Sequence, residues 1–153
     1  MTGTSAPVFE IRVLGGDGGE APGGHLTGFL LGEDTLLDAG SVGQILDLEA
    51  QRRIRHVLLT HAHLDHHHAL PFLLDNVIGR VPEPVTVYAL PEVLQALETH
   101  IFNNQVWPDF TRLPTPEAPA ARLAPITPNV PFTVGDWTDR KSTRLNSSHR
   151  YVS

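Results

Sequence analysis

The 153 residues predict a single layered α/β domain with a moderate core. Short apolar runs of strand length alternate along the chain with segments whose apolar residues recur at helical spacing. Gly, Pro and Asp fall between the two kinds of segment, as turns require. One run, "RHVLLT" at 55–60, is apolar enough for burial on both faces, as in a parallel sheet between helical layers.

In chain order, "VFEIRVL" (8–14) alternates as a half-buried strand. "GGDGGEAPGG" (15–24) is a Gly-rich loop. Its Gly16-Asp17-Gly18-Gly19-Glu20-Ala21 fits a dinucleotide fingerprint in form only, because Pro22, Gly23 and Gly24 stand where the helix should begin. It also lacks the Gly-Lys-Ser/Thr ending of a phosphate-binding loop. "HLTGFLL" and "TLLD" read as a hairpin turning at Gly32-Glu33-Asp34. Ser41-Val42-Gly43-Gln44 has capping-box spacing, and Val42, Ile45, Leu46 and Ala50 line one face of the helix expected behind it. "VTVYA" (85–89) is a strand, and a helix opens at Pro91 with Val93, Leu94, Leu97 and Ile101 on one side. Residues 113–131 read as a Pro-rich connection, and "PFTVGDW" (131–137) as the opening of a further strand.

Composition narrows the function. Cysteine is absent, so disulfides and thiolate metal sites are excluded, and a transition metal must be held by His, Asp or Glu. The net charge of -6 argues against a nucleic-acid surface; "QRRIRH" (51–56) is the one basic candidate, and it reads as the solvated end of a helix. No apolar run reaches the length of a membrane span, and the first residues lack a signal-peptide pattern. The expected location is cytoplasmic, with no nucleic-acid and no membrane partner.

The chemistry concentrates in "LLTHAHLDHHHALP" (58–71), which holds five histidines and an aspartate. His61 and His63 are two apart, so at an extended strand end they project to one side. Asp65 and His66 then fall at the start of a helical segment. Imidazole nitrogen and carboxylate oxygen suit zinc, with manganese or iron as alternatives. Two ions can share such a cluster, with two of these ligands on each, and two ions can stabilise both attacking and leaving oxygens in a phosphoryl displacement. His61, His63, Asp65 and His66 are the expected metal ligands, Asp65 being also the catalytic candidate. His67 and His68 are expected on the helix surface or behind the ligands, and His56 and His25 are structural.

"THAHLDH" after an apolar strand resembles the signature of the metallo-β-lactamase superfamily. That resemblance implies the N-terminal half of an αββα sandwich, and gives Asp38 of "TLLDAG" the role of orienting a ligating histidine from beneath the metal loop. Within the superfamily, "VLGGDGGEAPGGHLTGFLL", "THAHLDHHHALPFLLDNV", "VYALPEVLQALETHIFNNQVWPDFTRLP" and "PFTVGD" follow the order seen in class II cyclic-nucleotide phosphodiesterases. "HIFNNQVWPDF" (100–110) is the most specific block. Two positions depart from the pattern: Ala69 stands where Gly or Ser is usual, and His67 where an aliphatic residue is usual.

The resemblance implies two divalent metal ions, zinc first, whose bound hydroxide hydrolyses cyclic AMP or cyclic GMP to the 5'-nucleotide. A homodimer is compatible with it. It also implies a third histidine soon after the strand that "PFTVGDW" opens, a bridging aspartate and a final histidine, whereas only His149, within residues 139–153, lies downstream of that strand. An RNA 3'-processing nuclease of the same superfamily is the alternative enzyme, and an inactive metal-binding fragment the alternative of another class. The first 138 residues contain two serines and no lysine, whereas "DRKSTRLNSSHRYVS" (139–153) holds four serines, three arginines and Lys141. Residues 1–138 are therefore expected to form an incomplete hydrolase domain. Residues 139–153 are expected to be a non-native, disordered tail, resembling an in-frame translation of a sequencing adapter.

Overall fold

The structure is a computed structural model, and it describes residues 10–135 and 137–139. Strands β1 (Ile11–Gly15), β2 (Gly28–Leu31) and β3 (Thr35–Ala39) form an antiparallel meander, with the hairpin turn at Gly32 in the left-handed region (φ 61°). The chain then changes to parallel pairing. Helices α1 (Val42–Ile45) and α2 (Leu48–Arg53) lead to β4 (His56–Leu58), which pairs parallel to β3. Helices α3 (Leu64–His67) and α4 (Leu70–Val77) lead to β5 (Val85–Ala89). Helix α5 (Pro91–His100), the two-stranded ribbon β6 (Pro114–Thr115) and β7 (Ala118–Pro119), and β8 (Ala121–Pro125) complete the sheet. Its order is β1-β2-β3-β4-β5-β8. A separate hairpin, β9 (Phe132–Val134) with β10 (Trp137–Asp139), follows.

Successive crossovers that advance one strand in the same direction place their helices on the same side when each is right-handed. The core lies there: Leu36, Val57, Val85 and Val87 are fully buried with Leu70, Leu73, Leu74 and Leu97 from α4 and α5. The opposite face is also apolar. Strand register aligns Val13, Phe29, Leu37, Leu58, Tyr88 and Ala124 in one row. Val13 is 65% exposed, and Phe29, Leu37, Leu58 and Tyr88 are half-buried. The β9–β10 hairpin covers part of this face, with the Phe132 ring stacked 6.4 Å from that of Tyr88.

Three expectations need correction. The helix behind Ser41 is two short helices, because Leu46 turns extended and Asp47 caps a new start by accepting from the Ala50 amide at 2.8 Å. Ser41 caps nothing; its hydroxyl accepts from the Leu26 amide at 2.7 Å. The Pro-rich connection contains β8, a sheet-edge strand among the described residues. Proline is tolerated there, since Pro125 ends the strand on the sheet's edge. The tail 140–153 and the first nine residues, with the start of the first expected strand, lie outside the described residues.

Replacing fully buried Leu70 by Ala should lower unfolding free energy by about 2–5 kcal/mol, whereas Phe72→Ala, at a 46% exposed position, should cost clearly less. Denaturant titration of the two variants checks this contrast. Gly40 is a tighter constraint. A Cβ there would lie 2.6 Å from Leu26 Cβ and overlap the Asp65 carbonyl oxygen. Gly40→Ala should therefore destabilise by about 1–3 kcal/mol through overpacking, with exchange of the His66 amide accelerated in the same sample.

Candidate metal centre

The site sits where parallel strands β3 and β4 end, which is where ligands gather in open α/β sheets. Two local features build it. Pairing between β2 and β3 slips so that Gly28 faces Ala39 while Phe29 faces Leu37, which leaves Asp38 as an extra residue. Asp38 adopts φ 58°, a conformation that Asp reaches more readily than most side chains. A bulge of this kind re-aims a side chain. Here it turns the carboxylate inward, 2% exposed, against the turn that follows β4.

Asp38 organises that turn. Its Oδ1 accepts from the Thr60 amide at 2.9 Å, and the Thr60 hydroxyl lies 3.0 and 2.9 Å from Oδ1 and Oδ2. His66 Nδ1 donates to Oδ2 at 2.8 Å. A carboxylate oxygen accepts, so Nδ1 is the donor in this bond, and in the neutral ring Nε2 then carries the lone pair. The Thr60 hydroxyl, donating to Asp38, can accept from His61 Nδ1 at 3.0 Å. One carboxylate thus engages two imidazoles at Nδ1, His66 directly and His61 through a hydroxyl, an arrangement in which neutral rings offer Nε2 to a cation.

The structure brings the four expected ligands together as a chain of neighbours. The His61 ring lies 4.5 Å from that of His63 and 4.0 Å from that of His66. His66 Nε2 lies 3.3 Å from Asp65 Oδ2. Bonds of about 2.0–2.1 Å at a tetrahedral ion put two ligand atoms about 3.3 Å apart, so this pair has the spacing of a shared ion. Among the described residues, however, no three His, Asp or Glu converge as a complete metal site. The donors fit zinc in chemistry and in this one spacing, and they fall short of the three protein ligands such an ion takes. His61 is held below its ordinary pKa, first by burial and then by the neighbouring His66 and His63, against the opposing pull of Asp38 and Asp65. Neutral imidazole is the ligating form.

The other histidines separate. His67 is not on the helix surface: it is 5% exposed, its Nε2 donates to the Ala62 carbonyl at 3.2 Å, and burial lowers its pKa. His68 is half-buried beside the Phe72 ring at 5.8 Å. His25 Nδ1 meets Gln44 Oε1 at 3.1 Å, and the His56 ring lies 5.9 Å from that of Tyr88. Sequence reasoning missed Thr60 and Gly40. Their signal was position alone, Thr60 directly before His61 and Gly40 two residues after Asp38. The Gly-rich loop also reaches the site, since a Cβ on Gly18 would stand 3.8 Å from Asp65 Oδ2.

The block 100–110 folds as a turn braced by its own amides. Asn103 Oδ1 accepts from the Gln105 and Val106 amides, and Asn104 Oδ1 from that of Asp109. Phe102 is buried beside Phe110, and Trp107 meets Phe72 edge-on at 4.8 Å.

Residues 45–117 match the family model described as cAMP phosphodiesterases class-II. The chain is 32% identical over 136 residues to a Yersinia pestis protein named "Probable 3',5'-cyclic-nucleotide phosphodiesterase", covering 70% of this chain and 38% of that protein. It is 32% identical over 63 residues to a 3',5'-cyclic-nucleotide phosphodiesterase of Schizosaccharomyces pombe, covering 41% and 18%. The chain thus spans well under half the length of these curated relatives. Among solved structures, unliganded yeast PDE1 superposes with a TM-score of 0.71 at 19% identity, over 85% of this chain and 53% of that one. The metallo-beta-lactamase fold protein YhfI from Bacillus subtilis follows at 0.66 and 17%, over 86% and 51%. At such identities these two show the fold. The matched segment 45–117 contains the whole histidine turn, and over it the chain is similar to the class II cyclic-nucleotide phosphodiesterases, on a metallo-β-lactamase-type fold.

Proposed function

We propose that this chain carries part of the metal centre of an enzyme that hydrolyses 3',5'-cyclic nucleotides to 5'-nucleotides. The observation that carries the reading is the coincidence of the family-model match with a histidine turn in which Asp38 and Thr60 engage His66 and His61 at Nδ1. His61, His63, Asp65 and His66 would hold divalent cations, two of them in the completed site and zinc first by ligand chemistry. Bound there, such ions supply Lewis acidity toward the phosphoryl oxygens of the substrate.

The chain's own residues do the preparatory work. Asp38 accepts from His66 Nδ1, which leaves Nε2 on the face where Asp65 stands. Thr60 relays the same constraint to His61. Asp65, half-buried beside Gly18, presents a carboxylate that can bind a cation. A small cyclic nucleotide is the partner this reading implies, in the cytoplasm and with no nucleic acid or membrane.

Calorimetric titration with Zn2+ should show His63→Ala and Asp65→Ala weakening binding severely. Asp38→Ala should weaken it by about 10–100-fold, as the loss of a residue that orients a ligand does. Equal affinity across all three variants and the parent chain would reject the ligand assignment. A full-length relative carrying these residues should cleave cyclic AMP or cyclic GMP and leave precursor tRNA intact in the same metal-loaded preparation. Cleavage of the RNA alone would transfer the reading to a nuclease.

A further inference from the structure

We propose that His67 is a positioning residue of the histidine turn: its ring N–H clamps the Ala62 carbonyl and so fixes the backbone between His61 and His63. The proposal deepens the reading of His61 and His63 as metal ligands and rests on it.

The position gives no reason of its own for a histidine. His67 is 5% exposed, in the one-turn helix α3. An imidazole there is costly, because Nδ1 is buried without a hydrogen-bond partner, and an orphaned polar atom costs about 1–3 kcal/mol. Packing alone would favour leucine. What the imidazole adds is one donor, Nε2, 3.2 Å from the carbonyl oxygen of Ala62. Ala62 is the residue between the two exterior ligands, and its peptide groups carry His61 and His63 on either side. The bond also defines the tautomer: Nε2 holds the proton and Nδ1 is the unpaired acceptor.

The geometry divides the labour on the turn. Asp38 and Thr60 grip it from the strand side, through the Thr60 amide and the His66 and His61 rings. His67 grips it from the helix side, through a carbonyl that neither of those residues reaches. Two anchors on opposite sides of a five-residue turn restrict rotation of its peptide planes, which is how a backbone hydrogen bond preorganises ligands for a cation.

The test uses the whole chain. His67→Leu keeps an apolar side chain of similar volume and removes the donor, and His67→Gln keeps an N–H donor. Three readouts apply: the ring 15N spectrum of His67, hydrogen exchange of the Thr60 and His66 amides in metal-free protein, and titration with Zn2+ alone. Both amides are bonded at the turn, to Asp38 Oδ1 at 2.9 Å and to the His63 carbonyl at 3.0 Å. The wild-type ring should be the Nε2–H tautomer. His67→Leu should exchange both amides about tenfold faster and bind Zn2+ about tenfold more weakly, with His67→Gln recovering most of both. Wild-type exchange in His67→Leu, or an Nδ1–H ring in the wild type, would overturn the proposal, and the second result needs no variant to fold. A His63→Ala control distinguishes the underlying reading. Zn2+ bound as well by that control as by wild type would reject the metal ligands, while faster exchange in metal-free His67→Leu would still establish the clamp.

Discussion

The buried carboxylate of Asp38 is the constraint on which the rest of the site depends. It sits on an extra residue at the end of a strand, in a left-handed conformation, and it is almost fully removed from solvent. A buried carboxylate is tolerated only when its oxygens are satisfied. Thr60 and His66 satisfy them, with an amide, a hydroxyl and a ring nitrogen. The same bonds that make its burial possible fix the turn after β4 and engage His66 directly and His61 through Thr60. Stability of the turn and orientation of its histidines therefore rest on the same set of contacts.

Around this anchor the backbone is arranged for close approach. Gly40 lets the Asp65 carbonyl lie against the end of β3, and the Ala69 amide donates to the Ala39 carbonyl at 2.8 Å, which ties the start of α4 to the same strand. The metal turn is thus held at both ends by β3, a strand far from it in sequence. Helix α4 then anchors this arrangement to the core through Leu70, Leu73 and Leu74. On the far side of the sheet, a row of half-buried apolar residues gives the domain a second apolar face, as parallel sheets in layered folds have.

Most of the architecture was legible in the chain because the signals were local. The hairpin 28–39 followed from a turn at Gly32, and strand 85–89 with the helix from Pro91 from alternation, a proline start and one apolar face. The failures were cases where a local signal competed with a tertiary one. Ser41 has the spacing of a cap, yet the Leu26 amide from another strand takes its hydroxyl. The prolines around 114–131 advertised a loop, yet five residues among them pair with β5, because an edge strand needs bonds on one side only.

By itself, the sequence determined which atoms were available for chemistry: histidine nitrogens and carboxylates in one short turn, no thiolate, and a motif order similar to that of class II cyclic-nucleotide phosphodiesterases. Those follow from residue identity and spacing, which folding does not change. Only the tertiary structure decided how the histidines divide. His66 and His67 are adjacent in sequence, yet one ring faces the Asp38 carboxylate and the other enters the core toward the Ala62 carbonyl. Neighbouring side chains on a helix point about a third of a turn apart, so what each one meets depends on the strands packed beneath it. Spacing can bring five histidines to one place; what each ring meets there, for His66 a carboxylate 28 residues away, was set by the fold.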